Sequence, residues 1–261
     1  MRASDLEAAV RRFYQDPGVV AGYTAIAPEG LTPFETALVR RSFTPGQRVL
    51  DVGCGGGREA IGMAREGLRV VAMDLIPEMA RVAATFAASQ GTRLAALAGN
   101  AIAPPFGGET FEGVAMLNQM IAYLPTRALR LAALRSAWQL LRPGGNLAMT
   151  THNRRCHPKF RLYFALANHW RRLTRRLAPG AGLGDYDRWS DRDRVGRPVS
   201  GLRVFFHMYD LPEAETDLRE AGFEVLDARS RAEFEASRED PRLRRRDYLL
   251  GFVARRPGGP A

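Results

Sequence analysis

The chain has 261 residues, 46% of them hydrophobic and 25% charged, a size that suits one α/β domain with a large core and is short for two. No apolar run of about 18 residues occurs, and "MRASDLEAAVRRFYQ" alternates charge with alanine where a secretory leader has an apolar core, so a soluble cytoplasmic protein without a transmembrane segment is expected. The formal charge of +10 is local: residues 1–150 carry 15 basic and 12 acidic groups, 151–184 carry 8 and none, and 185–261 carry 15 and 16, so only the middle segment argues for an anionic partner.

In chain order, a helix around Asp5–Tyr14 is expected to pack over one edge of the fold, and "LTPFETALVRRSF" opens a second helix with Thr32 as N-cap, Pro33 in the first turn and Glu35 completing a capping box. Short apolar runs predict strands at Arg48–Val52, Arg69–Met73, Arg93–Leu97, Gly113–Leu117, Asn146–Thr151, Glu224–Ala228 and Tyr248–Ala254. Alanine-rich helices fall between them near Arg58–Glu66, Pro77–Ser89, Arg127–Leu141 and Pro212–Ala221. Strands alternating with helices make a mostly parallel sheet with helices on both faces. After Thr151 the alternation stops for about 60 residues. We read three parts: an N-terminal helical cap over 1–44, a main domain over 45–261, and within it a basic helical and loop insertion over 152–209 covering the sheet's C-terminal edge. The last two strands, joined through "SRAEFEASREDPRLRRR", are expected to pair antiparallel.

The ligand-bearing residues gather where strands end. Asp51 and Val52 close the first strand and Gly53–Gly57 turn into the next helix, a geometry in which backbone N–H groups face a ligand without an intervening side chain. Asp74 ends the second strand, 23 residues after Asp51, where a carboxylate accepts both hydroxyls of a ribose. Asn100 follows the third strand, placed to read the edge of an adenine; Asn118 and Gln119 follow the fourth. A nicotinamide dinucleotide and S-adenosylmethionine compete for this set. The G-x-G-x-x-G/A frame at Gly55, Gly57 and Ala60 allows the first, but leaves Asp51 without a role and provides no second domain for an oxidisable substrate.

These residues resemble the class I S-adenosylmethionine-dependent methyltransferases. "VLDVGCGGG" matches the family's acid-x-Gly-x-Gly-x-Gly signature at Asp51, Gly53, Gly55 and Gly57; "VVAMDLIPEM" matches its ribose segment at Asp74 and Leu75; "LLRPGGNLAM" matches the turn before its fifth strand. The resemblance covers roughly residues 45–152. It implies a Rossmann-like, doubly wound α/β fold with a seven-stranded sheet in order 3-2-1-4-5-7-6, the last strand antiparallel, and S-adenosyl-L-methionine as cofactor. It further implies that Asp51 and the Gly53–Gly57 backbone hold the methionine end, Asp74 and Leu75 the ribose, and Asn100 with the Ala101 and Ile102 backbone the adenine, while Asn118 approaches the methionine amino group. Relatives often carry Asp where Asn100 stands; Asn still accepts from an adenine amino group. The Asn/Asp-Pro-Pro-aromatic signature of nucleotide-amino methyltransferases is absent, "LNQMIAYLP" standing in its place, which argues against DNA.

A sulfonium methyl is already electrophilic, so such an enzyme mainly aligns a nucleophile and excludes water, adding a base only if the nucleophile arrives protonated. Candidates at the sheet's carboxyl edge are His152, His207 and Tyr123, for each of which the plainer reading is a hydrogen-bonded structural residue; Tyr14 and Tyr23 could close the pocket from above. Four histidines and two cysteines show no metal-ligand spacing. In the basic helix 158–178, Phe160, Tyr163, Phe164, Ala167, Trp170 and Leu173 recur at helical spacing opposite Arg161, Arg172, Arg175 and Arg176. It reads as a lid with a solvated arginine face, as a contact for an anionic substrate or tRNA, or as a membrane-surface helix. "RVFFHMYDLPEAETDLREAGFEV" looks like a segment of wobble-uridine tRNA methyltransferases, so the leading expectation of a small-molecule acceptor stands beside RNA methylation and, from another class, a non-catalytic S-adenosylmethionine-binding protein.

Overall fold

A computed structural model describes residues 3–177, 184–192, 198–199, 201–244 and 247–258. The elements run α1 (Ala3–Gln15), α2 (Pro17–Ile26), α3 (Pro33–Ser42), β1 (Arg48–Val52), α4 (Arg58–Arg65), β2 (Arg69–Asp74), α5 (Pro77–Ser89), β3 (Ala95–Ala98), β4 (Phe111–Met116), α6 (Arg127–Leu140) and β5 (Leu141–His152). They continue with α7 (Pro158–Leu177), β6 (Asp187–Ser190), β7 (Val204–His207), α8 (Leu211–Glu220), β8 (Glu224–Ser230), α9 (Arg231–Glu235), α10 (Pro241–Arg244) and β9 (Leu249–Arg255).

Seven strands form one sheet in the order β3-β2-β1-β4-β5-β9-β8. β1 to β5 pair in parallel, and β9 runs antiparallel to both β5 and β8. Because β6 and β7 make a separate two-stranded sheet, β8 and β9 are the sixth and seventh strands of the main one, and the order matches the doubly wound fold that the sequence motifs imply. Neighbouring residues on each parallel strand go to opposite cores, since helices cover both faces. Leu50, Val114 and Leu147 pack towards Leu134 and Ala137 of α6 and Leu218 of α8. Val49, Ala115 and Ala148 pack towards Phe34 and Leu38 of α3 and Met63 of α4.

Local chemistry explains most boundaries. Thr32 and Glu35 form the expected capping box, the Thr32 hydroxyl accepting from the Glu35 amide at 3.3 Å and Glu35 Oε2 from the Thr32 amide at 2.9 Å. Three features went unread. α2 starts at Asp16, whose carboxylate accepts from Gly18 and Val19 with Pro17 in the first turn; its Gly, Val and Thr content hides it from propensity. β6 and β7 pair antiparallel inside the 152–209 insertion, where the sequence pattern predicts no strand. The connection between the last two strands folds as α9 and α10, held by Glu233, whose carboxylate is fully buried and receives Arg244, the Ser230 amide and the Asp240 amide.

α7 corrects the reading of its faces. Phe164 and Asn168 are buried and Phe160 is half-buried, against Tyr186, Phe206 and Tyr248. Tyr163, Trp170 and Leu173, expected on that inner face, are exposed. The helix has more apolar residues than its one packed side can take. The side chains of Arg175 and Arg176 lie outside the described residues.

Candidate functional site

The first crossover builds the site. The Gly53 and Cys54 amides both donate to the Met73 carbonyl, at 2.7 and 3.1 Å, which ties the glycine loop to the end of β2. Gly53 (φ 77°) and Gly55 (φ 52°) adopt left-handed backbone, and a Cβ on Gly53 would collide with the Met120 side chain. The next two glycines serve packing instead: a Cβ on Gly56 would stand 2.7 Å from the Tyr23 carbonyl oxygen in α2, and one on Gly57 2.9 Å from Ala83 of α5.

Beside this loop a cleft of about 130 Å³ opens at the carboxyl ends of β1, β2 and β4. Gly53, Gly55, Asp74, Leu75, Asn100, Ala101 and Asn118 all line it, as does Tyr123. Asp51, Gly57 and Ile102 do not. Ile102 instead donates its amide to Asn100 Oδ1 at 3.1 Å, closing the turn. The Asp74 carboxylate is fixed from two sides, Oδ2 accepting from the Gly55 amide at 2.9 Å and Oδ1 from the Ile76 amide at 2.8 Å. Asn118 and Gln119, at the end of β4, both have positive φ (49° and 59°), an unusual pair for residues with side chains, and the Gln119 amide is anchored on Thr150 Oγ1 at 3.0 Å.

The roof of the cleft comes from residues far away in sequence. Tyr14 of α1 meets Tyr23 of α2 and Tyr123 edge-on, with ring centroids 5.9 and 5.4 Å apart. All three line the cleft, as Tyr14 and Tyr23 were expected to do, together with Val10, Met79, Met120 and Leu124, which sequence reading did not single out. The signal for α1 and α2 was only their aromatic content; nothing local says where they dock.

Behind the glycine loop the electrostatics are incomplete. Asp51 is buried, and its Oδ2 has no hydrogen-bond partner among the described residues. Burial, then the neighbouring Glu59 and Asp74 carboxylates, pushes its pKa well above the ordinary carboxylate range. Burial also raises Asp74, against the backbone amides that it accepts from. Two carboxylates uncomfortable with their charge favour a cationic or hydroxyl-rich ligand and disfavour a pyrophosphate.

The two histidines lie elsewhere. His152, at the end of β5, is wedged between Phe206 and Tyr248 with centroids 5.3 and 4.7 Å away. Its Nδ1 has no partner among the described residues. Burial, helped by Arg188, lowers its pKa to about 4, so the ring is neutral at pH 7. His207 is buried with Nδ1 2.8 Å from Asp187 Oδ1 and Nε2 3.0 Å from Glu213 Oε1. Both of its nitrogens join β7 to β6 and α8, and neither histidine lines the cleft.

Residues 49–145 match the methyltransferase domain family. An ubiquinone biosynthesis O-methyltransferase from Xanthomonas campestris pv. campestris is 38% identical over 114 residues, 42% of this chain and 45% of that protein. One from Vibrio cholerae is 36% identical over 109 residues, 42% and 43% of the two chains. The chain thus spans less than half the length of these curated relatives. Among solved structures, an S-adenosylmethionine-dependent methyltransferase from Methanosarcina mazei superposes with a TM-score of 0.65 at 20% identity, covering 88% of this chain and all of that one. The CcbJ methyltransferase from Streptomyces caelestis gives 0.61 at 20% identity, covering 87% and 90%. Residues 49–145 thus match a methyltransferase domain, and the main sheet has the fold of the solved S-adenosylmethionine-dependent methyltransferases that superpose on it.

Proposed function

We propose that this protein transfers a methyl group from S-adenosylmethionine to a small-molecule acceptor. The observation that carries the reading is a pair of acids: a buried Asp51 behind the glycine loop, with Oδ2 lacking a hydrogen-bond partner among the described residues, and an oriented Asp74 on the wall of the cleft. The residues fit the cofactor. Asp51 supplies an acceptor and negative potential for an ammonium, Gly53 and Gly55 leave room for the methionine end, Asp74 accepts from ribose hydroxyls, and Asn100 with Ala101 borders the adenine. Asn118 offers a side-chain carbonyl towards the same amino end. When bound, S-adenosylmethionine brings an electrophilic methyl; the chain's own part is to orient the acceptor and keep water out. Tyr14, Tyr23 and Tyr123 do the second, as a roof of edge-packed rings, and Tyr123 is the acceptor-side candidate that touches the cleft. His152, neutral and packed between Phe206 and Tyr248 outside the lining of the cleft, and His207, committed to two carboxylates, are both proposed as structural.

The relatives' names favour a small acceptor with a hydroxyl oxygen, and we propose a cytoplasmic reaction on that basis. Fold likeness alone would not suffice, because a [4+2]-cyclase also superposes, with a TM-score of 0.57 at 20% identity. The test is incubation with methyl-labelled S-adenosylmethionine and a fractionated extract, alongside calorimetric titration with S-adenosylmethionine and NAD. Label in small molecules and binding of S-adenosylmethionine alone are expected. Label in RNA overturns the acceptor class, binding without transfer to any fraction overturns the catalytic reading, and failure to bind overturns the whole assignment.

A further inference from the structure

Six large apolar side chains stand exposed among the described residues, and five of them lie on α7: Leu162, Tyr163, Leu166, Trp170 and Leu173, between 44% and 66% accessible. At about 100° per residue, Leu162, Leu166 and Leu173 form one stripe, about 16 Å long, with Trp170 and Tyr163 along one border. The opposite border carries Arg161 and Arg172, both exposed, the latter also pairing with Asp185 at 3.0 Å. Beyond Tyr163 lies Arg188, its guanidinium 5.3 Å from that ring's centroid, and Lys159 starts the stripe. Residues 151–184 contain no acid.

We propose that α7 docks on an anionic lipid surface, lying in the plane of the interface with its leucine stripe among the acyl chains and its flanking cations against the headgroups. An exposed aliphatic stripe is costly in water and is left uncovered among the described residues, while the cations on both borders select a negatively charged surface. The Trp170 ring suits the boundary between headgroups and acyl chains. Nucleic acid is the poorer match. Single-stranded bases need aromatic platforms and phosphates need outward cations, but three leucines occupy the outermost line, and Arg171 turns inward to the Gly184 and Asp187 carbonyls at 3.0 and 2.8 Å. The inner side of α7 packs on Phe206 and Tyr248, in the same aromatic cluster as Tyr123 of the cleft, so the docked helix and the cleft share one wall. The inference stands on the outer face of α7 and does not rest on the methyl-transfer reading.

The test is co-sedimentation of the whole chain with vesicles of equal parts phosphatidylglycerol and phosphatidylcholine, against vesicles of phosphatidylcholine alone. Partition at least tenfold stronger onto the anionic vesicles is expected, falling as salt rises. The double variant Leu162→Glu with Leu166→Glu should lose it at least tenfold while circular dichroism and melting temperature stay as in the wild type, because both side chains already face water. The milder pair Leu162→Ser and Leu166→Ser provides the same readout should the charged pair perturb folding. Trp170→Phe should remove the blue shift of tryptophan emission that vesicles induce, since Trp138 and Trp189 lie off the stripe. No partition, partition indifferent to the leucine substitutions, or salt-sensitive retention of tRNA in its place would each overturn the proposal.

Discussion

A single oxygen, Asp74 Oδ2, connects the loop and the ribose side of the proposed site, because it holds the Gly55 amide at 2.9 Å while its carboxylate borders the cleft. Replacing Asp74 with Ala removes the acceptor for ligand hydroxyls and leaves the Gly55 and Ile76 amides without their partner. Gly55→Val acts on the other side: its Cβ would stand 3.1 Å from the Tyr23 ring, at a φ of 52° that β-branched residues resist. Each is expected to weaken S-adenosylmethionine binding at least tenfold, about 1.4 kcal/mol or more, in calorimetric titration. Unchanged affinity in both variants would remove the site assignment. These residues were readable from sequence because the strand-loop-helix unit places them through local geometry. The roles of Gly56 and Gly57 were not, because the groups that forbid a side chain there, the Tyr23 carbonyl and Ala83, arrive from other elements.

At the scale of elements, α4 is fastened to α3 by Arg58, which is 2% exposed. Its guanidinium donates to both oxygens of Glu35, at 2.7 and 2.5 Å, to the Gly30 carbonyl at 2.6 Å, and to Glu59. Glu35 thus serves two elements at once, completing the capping box of α3 and neutralising the first residue of α4. Burial opposes both charges, but the pairing raises the Arg58 pKa and lowers that of Glu35, so the ions remain ions. Arg58→Met would strand two buried carboxylates, and a loss of about 3–5 kcal/mol is expected in urea unfolding at pH 7. A loss below about 1 kcal/mol would show that water reaches the cluster. The capping box was visible in "TPFE" because capping is a four-residue event; its coupling to Arg58, 23 positions away, became visible only once α3 and α4 packed together.

For the whole molecule, buried titratable groups set two windows of acid sensitivity. His152 has its pKa lowered to about 4, so as pH falls through about 6.5 the unfolded chain takes up a proton that the folded chain refuses. Stability from this group is therefore intact above about pH 6.5 and declines towards pH 4, by roughly 3 kcal/mol at about 1.4 kcal/mol per unit of pKa difference. Glu213 responds lower down. Burial opposes its charge, but His207 and Arg154 outweigh it and hold the pKa at about 2, so its contribution is lost as pH falls from about 4.5 towards 2. Comparing wild type with His152→Phe in urea at pH 7.5 and 5 separates the windows: the wild type should lose more stability between these values than the variant. Equal losses would mean that the ring is solvated or protonated in the folded state.

What the sequence by itself determined is the part written in short-range rules: strand and helix order, the glycine turn after β1, the two acids at strand ends, and hence the sheet order. Periodicity, capping and turn chemistry act within a few residues and need no partner. The tertiary structure alone decided which elements roof the cleft, that His207 is spent on Asp187 and Glu213, that His152 sits neutral behind an aromatic wall, and that α7 keeps its leucines in the open. The reason is the same in each case. An amphipathic pattern says that a face is to be covered but not by what, and a side chain's charge, access and partner depend on elements that only packing brings together.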